Sequence, residues 1–242
     1  KMNQMLDDIE ELNDEILESK RRYLEMEYAK KQTEMIAYRS QINPHFLYNT
    51  FNCIRGMALY HGEKEIADLT MALSSFFRYS VQGEETVTVR EALENLQRYA
   101  QIIRYRFNGK HKVEVNASRE VFLIKIPKML MQPLVENAVL HGLETKVGEG
   151  TVRVDVWQEE RRLVVRVKDN GCGIPEEKQK ELRWAMECFD REETIPDNGH
   201  GIGFLNVYRR MRLFYGQDAV FTLESREGEG TEIRMVLPVG GR

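Results

Sequence analysis

The sequence predicts an all-α amino-terminal part that contains a helical hairpin, followed by an α+β two-layer sandwich. Apolar residues recur with helical spacing through residues 1–82, with one short interruption. From about residue 86, helical segments alternate with runs in which every second residue is apolar. Hydrophobic residues make up 42% of the 242 residues, which is enough for a buried core. We therefore expect three domains, at residues 1–40, 41–85 and 86–242.

The composition excludes several classes of protein. The formal net charge is −4, so we expect no nucleic-acid surface, which needs a basic stripe. Three widely spaced cysteines, Cys53, Cys172 and Cys188, indicate neither a disulfide framework nor a zinc site and favour a reducing compartment. No apolar run approaches the ~18 residues of a membrane span. Because the chain starts at Lys1 inside a helical pattern, we expect it to be the soluble part of a longer protein.

Residues 1–40 are predicted to form a coiled-coil helix. The segment contains no Gly or Pro, and its seam positions follow alternating steps of four and three over about three heptads. Those positions are Met5, Ile9, Leu12, Ile16, Ser19, Tyr23 and Met26. Such a seam favours a dimer, and a single amphipathic helix packed on its own domain is the alternative.

Residues 41–85 are predicted to form a helical hairpin. Helical spacing runs through Phe46, Asn49, Cys53 and Met57, and "YHGEKE" (60–65) interrupts it. A second apolar pattern follows and ends by Gly83. It comprises Ile66, Leu69, Leu73, Phe76 and Phe77. Two such hairpins from two chains would make a dimeric four-helix bundle.

The stretch "QINPHFLYNT" (41–50) places Pro44 directly before His45 within this helical pattern. A proline inside a helix removes a backbone hydrogen bond and clashes with the preceding turn, at a cost of ~3 kcal/mol. A kink at Pro44 can turn the next residue outward and mark a bending point. We therefore expect His45 to be exposed for a functional reason.

The third segment predicts an order of α-β-α-β-β, then a loop and a helix, then β-β. A sandwich with helices on one face of the sheet fits this order. The predicted elements are a helix at 89–107, a strand at 112–117, a helix at 127–143 with Pro127 in its first turn, a strand pair at 150–171 and a hairpin at 219–238. The polar segment 176–197 is left unassigned, and a mobile lid is one use for it.

The stretch "VENAVLHG" (135–142) is a candidate for binding a metal ion and phosphate. Asn137 and His141 are four residues apart, so they share a face of the predicted helix. An amide oxygen is a hard, neutral ligand suited to Mg²⁺ that also holds phosphate oxygens, and His141 could reach a phosphate. The alternative is a buried asparagine paired with backbone.

The stretch "KDNGCGIP" (168–175) follows a strand. Asp169 is an acceptor suited to an exocyclic amine, and Gly171 and Gly173 would let a flat ring approach the backbone closely. The alternative is an ordinary Asp-Asn-Gly turn.

The stretch "DNGHGIGFLNVYRRM" (197–211) is glycine-rich and opens a helix at about Phe204. Gly199, Gly201 and Gly203 leave backbone N–H groups available ahead of a helix N-terminus, an arrangement that holds phosphate oxygens. The alternative is a flexible glycine linker.

These three motifs, with about thirty residues between one and the next, resemble the asparagine box and the two glycine boxes of a shared ATP-binding domain. Histidine kinases, DNA gyrase, a heat-shock chaperone family and the MutL repair proteins carry that domain. With "QINPHFLYNTF" upstream and "QPLVENAVLHG" between, residues 40–242 resemble a sensor histidine kinase of the LytS/YesM-like group.

The resemblance implies a GHKL-type ATP-binding domain at 86–242 that binds ATP and Mg²⁺, the latter through Asn137. It implies that His45 is the phosphoacceptor of a homodimer that passes the phosphoryl group to an aspartate of a response regulator. Asn49 would orient water for dephosphorylating that partner. It also implies a bacterial membrane sensor, attached to the membrane through a segment missing from this chain, with the present residues on the cytoplasmic side.

Three positions depart from the pattern of many histidine kinases. Leu140 stands where related sequences often have Lys, which leaves His141 as the nearer phosphate contact. Phe46 stands where an acidic proton acceptor often follows the histidine, so the base could be water, a residue of the ATP-binding domain, or none. Pro133 stands where an asparagine is frequent, and Glu136 could supply a charge in its place or be a solvated helix residue. The alternative functions are a GHKL-fold ATPase without phosphotransfer and a degenerate kinase that acts as a dimerisation module.

Overall fold

The computed structural model describes residues 44–144, 146–191, 193 and 202–239, together with Lys20 and Met26. The coiled-coil prediction for residues 1–40 therefore lies outside the described residues, apart from Lys20 and Met26, which have helical backbone. The chain divides into two compact units, residues 1–49 and 50–242. The three domain boundaries and the coiled-coil dimer stay predictions.

The predicted helical hairpin is present. Helix α1 spans Pro44–Tyr60 and helix α2 spans Lys64–Val81, with a turn between them in which Gly62 has a φ of 78°. Residues buried in α2 are small ones, namely Ala67, Thr70, Ala72 and Ser74. The predicted kink at Pro44 is not tested, because residues 27–43 lie outside the described part of the chain.

Helix α3 spans Val89–Arg106 and follows the short strand β1, Thr86–Thr88. Thr88 caps the helix: its hydroxyl accepts from the Glu91 backbone N–H at 3.2 Å, and the Glu91 carboxylate accepts from the Thr88 backbone N–H at 2.7 Å. The helix ends at the predicted Asn108-Gly109 pair, where φ is 49° and 75°. Seven buried residues form its inner face.

A five-stranded mixed sheet forms the second layer. Its strands are β2 (His111–Ala117), β4 (Gly150–Glu159), β5 (Arg162–Asp169), β6 (Val220–Arg226) and β7 (Gly230–Pro238). Their order is β2-β4-β5-β7-β6, with β2 and β4 parallel and the other neighbours antiparallel. The inner face, with Val152, Val154 and Val165, shares one hydrophobic core with the helices, whereas the outer face carries ion pairs such as Arg166–Asp155 at 2.7 Å. This confirms the predicted sandwich.

The prediction of one α-helix over residues 127–143 is wrong in two respects: the helix starts later, and its second half is a π-helix. Strand β3, Lys125–Pro127, pairs with β1, which places Pro127 in a strand. Helix α4 spans Gln132–Asn137 and continues as a π-helix over Ala138–Leu143. Pro133, not Pro127, occupies the first turn, where a missing backbone N–H has no cost.

The polar segment after residue 175 is a helix rather than an unassigned loop. Helix α5 spans Glu176–Asp190 and buries Gln179, Leu182, Ala185 and Cys188, which are spaced three residues apart. Helix α6 spans Ile202–Tyr215. Among the described residues, no helix is long and apolar enough to cross a membrane.

Candidate functional site

A cavity of about 630 Å³ lies within the second unit, between α4 with its π-helical extension, the end of β5, α5, the start of α6 and β7. Its apolar lining includes Leu134, Val167, Ile174, Phe204 and Ile233. Its polar lining comprises Asn137, His141, Asp169, Cys172, Lys178 and Thr231. The fold thus brings together residues from the first two predicted motifs and Gly203 from the third.

Asp169 ends strand β5 and is buried, with 6% of its surface exposed. Its Oδ1 accepts hydrogen bonds from the backbone N–H groups of Gly171 at 2.8 Å and Thr231 at 3.3 Å. Its Oδ2 has no hydrogen-bond partner among the described residues. Burial raises the pKa of this carboxyl, although the two backbone N–H groups and the charge of Lys146 oppose the rise. Asp169 therefore offers an acceptor to a ligand that donates an N–H.

Gly171 and Gly173 are required for close packing of the loop that follows Asp169. A Cβ on Gly171 would overlap the backbone of Gly142, whose carbonyl accepts from the Cys172 N–H at 2.9 Å. Gly173 has a φ of +70°, and a Cβ there would overlap the Arg226 backbone. From the sequence, we expected these glycines to let a flat ring approach the backbone. In the structure, they are needed because neighbouring backbone segments pack against them.

Asn137 ends α4 and is half-buried. Its amide has no hydrogen-bond partner among the described residues, so it is not the backbone-paired asparagine that was the alternative. A Cβ on Gly203, in the first turn of α6, would lie 3.1 Å from Asn137 Nδ2. His141 is exposed and belongs to the π-helix, and it lines the same cavity as Asn137. Gly199 and Gly201 lie outside the described residues.

His45 and Asn49 belong to the first unit and form a pair on α1. Both are exposed, and Asn49 Nδ2 lies 3.3 Å from His45 Nδ1. With that NH₂ group as donor, the ring carries its hydrogen on Nε2, and turning the amide by 180° places the hydrogen on Nδ1 instead. The contact is therefore compatible with either tautomer of His45.

Two family models match successive parts of the chain. The model described as histidine kinase matches residues 33–111, and the model described as histidine kinase-, DNA gyrase B-, and HSP90-like ATPase matches residues 123–241. The chain belongs to the histidine kinase family.

Relatives of this histidine kinase include sensor proteins of several bacteria. Sensor protein LytS of Enterococcus faecalis is 31% identical over 211 residues, sensor histidine kinase YesM of Bacillus subtilis 31% over 209 and sensor histidine kinase YpdA of Escherichia coli 33% over 210. Each match covers 86% of this chain but only 34% of the relative. Among solved structures, the histidine kinase domain from Erythrobacter litoralis EL346 has a TM-score of 0.43 at 18% identity, covering 86% of this chain and 91% of that one.

The cavity is also lined by residues that the sequence patterns did not indicate. Thr231 lies in the hairpin predicted at 219–238, and the Gly-Thr pair at the start of β7 was the available signal. Lys178 and Leu182 lie on α5, which was left unassigned. Lys178 pairs with Glu181 at 2.8 Å. No motif spacing marks Lys178 or Leu182, because only the packing of α5 brings them to the cavity.

The donor set of the kinase fits a magnesium ion that is shared with a bound triphosphate. Asn137 provides a neutral amide oxygen that no described residue pairs, which suits an ion that takes most of its ligands from phosphate and water. Within the described residues, no group of three or more His, Cys, Asp or Glu side chains could hold a metal by itself. Any ion at Asn137 would therefore depend on oxygen atoms supplied by the nucleotide and by water.

Proposed function

We propose that this chain is the homodimeric core of a sensor kinase that uses Mg·ATP to phosphorylate itself on His45 and then transfers the phosphoryl group to an aspartate of a response regulator. One observation carries the proposal. In a chain matched by the histidine kinase model, a single cavity is lined by both Asp169 and Asn137, each with polar atoms that no described residue pairs.

The cavity residues have separate roles in this proposal. Asp169 Oδ2 accepts the N–H of the adenine amine, while Ile174, Phe204 and Ile233 cover the ring with apolar surface. Asn137 holds Mg²⁺, and His141 contacts the triphosphate. When bound, Mg²⁺ neutralises charge on the phosphate oxygens, which is the main requirement for phosphoryl transfer.

His45 is the nucleophile of the proposed reaction. A neutral imidazole has a lone pair available on one of its two ring nitrogens. That nitrogen forms a bond to the terminal phosphorus as the bond to the ADP oxygen breaks, and the other ring nitrogen gives up its proton. Asn49 orients the ring through its contact with Nδ1. Because Phe46 cannot accept the proton that the ring releases, we assign that role to water.

The relatives' length supports the proposed context. Because this chain spans 34% of relatives such as LytS and YesM, we place a membrane-attached sensor in a segment outside this chain, with the present residues on the cytoplasmic side. The helical seam at 1–40 would pass the sensor's signal to α1 as a parallel coiled coil.

Incubation with γ-labelled ATP tests the proposal, with His45→Gln as the comparison. We expect label on the protein that is stable to base, labile to acid and absent from His45→Gln. Release of phosphate without labelled protein would instead favour a GHKL-fold ATPase. Absence of any nucleotide uptake would favour the dimerisation module.

A further inference from the structure

A chain of buried side-chain amides connects α3 with the helix that carries Asn137. Asn95 on α3 is 1% exposed, and Gln132 at the start of α4 is 4% exposed. Asn95 Nδ2 donates to Gln132 Oε1 at 2.7 Å, and Gln132 Nε2 donates to Glu136 Oε1 at 2.7 Å. Both donated hydrogens therefore point along the chain toward the Glu136 carboxylate.

This network is an inefficient way to fill a core. Asn95 Oδ1 is buried and has no hydrogen-bond partner in the described part of the chain. A buried acceptor without a partner destabilises the fold, and two apolar residues of similar size would avoid the cost. Local rules of this kind are broken mainly where function requires it. The network ends at the carboxylate of Glu136.

Glu136 is anchored rather than freely solvated. It is half-buried, one turn after Gln132 and directly before Asn137. Its negative charge also reaches Tyr99 of α3: burial raises the pKa of Tyr99, and the charge of Glu136 adds to the rise. The carboxylate is therefore held between α3 and α4 on the helix that ends at Asn137.

We propose that Glu136 supplies a negative charge that favours Mg²⁺ at Asn137, and that Gln132 and Asn95 are positioning residues that hold this carboxylate. The inference rests on the proposed function. Asn137 itself is neutral, and a divalent cation is attracted by a carboxylate one residue away on the same helix without direct coordination. Glu136 does not line the cavity, so its charge acts at a distance. Residues that orient a metal site in this way commonly alter metal affinity by about 10- to 100-fold when replaced.

The test is the affinity for a non-hydrolysable ATP analogue, measured by calorimetry once with Mg²⁺ and once with EDTA. The variants are Glu136→Gln, which keeps an acceptor but removes the charge, and Gln132→Leu and Asn95→Leu, which remove the amides. Thr70→Val is the matched control, because Thr70 is another buried polar residue, 5% exposed, on α2. Thermal melts without nucleotide establish that each variant is folded.

For the three network variants, we expect the ratio of the two affinities to fall about tenfold or more, with the EDTA affinity nearly unchanged. Thr70→Val should keep the wild-type ratio. An equal loss of both affinities would show a purely structural network and overturn the inference, as would an unchanged ratio in Glu136→Gln, the variant that disturbs packing least. Failure of the wild-type protein to bind the analogue at all would instead overturn the proposed function.

Discussion

At the scale of single residues, buried polar atoms in the cavity lower the stability of the protein when no ligand is bound. Asp169 is 6% exposed, and burial raises the pKa of its carboxyl. A raised folded-state pKa means that the folded protein binds the proton more tightly than the unfolded chain. The stabilising effect of that proton is lost as pH rises past the unfolded value of ~3.9, so at neutral pH the ionised carboxylate destabilises the fold. Such trade-offs between stability and activity are common at functional sites.

Asp169→Asn should therefore weaken ATP binding and stabilise the nucleotide-free protein. The amide oxygen can still accept from Gly171 and Thr231, but the NH₂ group would face the donor of the ligand. We expect nucleotide affinity to fall about tenfold or more, and the Tm without nucleotide to rise by about 3 °C for ~1 kcal/mol of relieved cost. Calorimetry and thermal melts measure the two effects.

Asp155→Asn is the matched control for this prediction. Burial acts to raise the pKa of Asp155, but hydrogen bonds from Arg166 and Asn116 outweigh it and the pKa is lowered. Its carboxylate therefore stabilises the fold at neutral pH, and Asp155→Asn should lower the Tm while leaving ATP affinity unchanged. Stability changes of the same sign in both variants would contradict the argument.

Asn49 is predicted to support dephosphorylation of the response regulator. It lies on the same face of α1 as His45, and its amide contacts the ring. An Asn49→Ala variant should lose most phosphatase activity toward phosphorylated regulator, because no side chain remains there to orient water. Retention of full phosphatase activity would refute this role.

At the scale of single elements, α3 depends on its amino-terminal cap. Thr88 and Glu91 satisfy each other's backbone N–H groups, and hydrogen bonds from the Thr88 backbone and hydroxyl lower the pKa of Glu91. Thr88→Ala should lower the free energy of unfolding by ~1 kcal/mol. Thr88→Ser keeps the hydroxyl and should lower the free energy of unfolding much less. Chemical denaturation of both variants therefore separates the effect of the cap from that of the lost methyl group.

The contact between the end of α3 and the start of β2 should make stability depend on pH. His111 is 1% exposed and packs against Phe107, with ring centroids 4.7 Å apart and the ring planes tilted by 58°. Burial lowers the pKa of His111, and the charges of Lys110 and Lys146 add to this, while a hydrogen bond with the Lys110 backbone opposes it. The folded state therefore disfavours the proton, so stability is full above the unfolded value of ~6.5 and is lost as pH falls below it.

His111→Leu should remove this part of the pH dependence. Its Tm should fall less than the wild-type Tm between about pH 8 and pH 5.5, because Leu has no group to protonate. Thermal melts across that range measure the difference, which isolates His111 from the other titrating groups. Parallel curves for the two proteins would argue against the assignment.

At the scale of the whole molecule, both helices of the hairpin expose apolar side chains. Met57 on α1 is 60% exposed and Ile66 on α2 is 48% exposed, and exposed apolar surface of this kind commonly marks an interface. A second hairpin would cover it in the predicted four-helix bundle.

Met57→Asp should therefore shift the protein from dimer to monomer in sedimentation experiments without unfolding it. Burying an unpaired carboxylate at an interface opposes association strongly. Leu213→Asp is the control, since Leu213 is 82% exposed and belongs to α6 rather than to the hairpin, and this variant should leave the dimer intact. A dimer that survives Met57→Asp would place the interface elsewhere.

The amino-acid sequence alone determined those features that depend on local patterns. The helical hairpin, α3 with its Asn108-Gly109 end, the β4–β5 pair and the β6–β7 hairpin all follow from apolar periodicity and turn residues, which act between near neighbours in the chain. Asn137, His141 and Asp169 were also identified from short motifs, and the cavity brings them together.

Only the tertiary structure determined those features that depend on contacts between residues far apart in the sequence. The pairing of β1 with β3 converts a predicted first helical turn at Pro127 into a strand, and the close approach of Gly171 to Gly142 explains a glycine for which the sequence offered a different reason. Lys178, Thr231 and the Asn95–Gln132–Glu136 network reach their places only when separate elements pack together. The periodicity of apolar side chains describes local structure only, so it cannot identify contacts between residues that are tens of positions apart in the sequence.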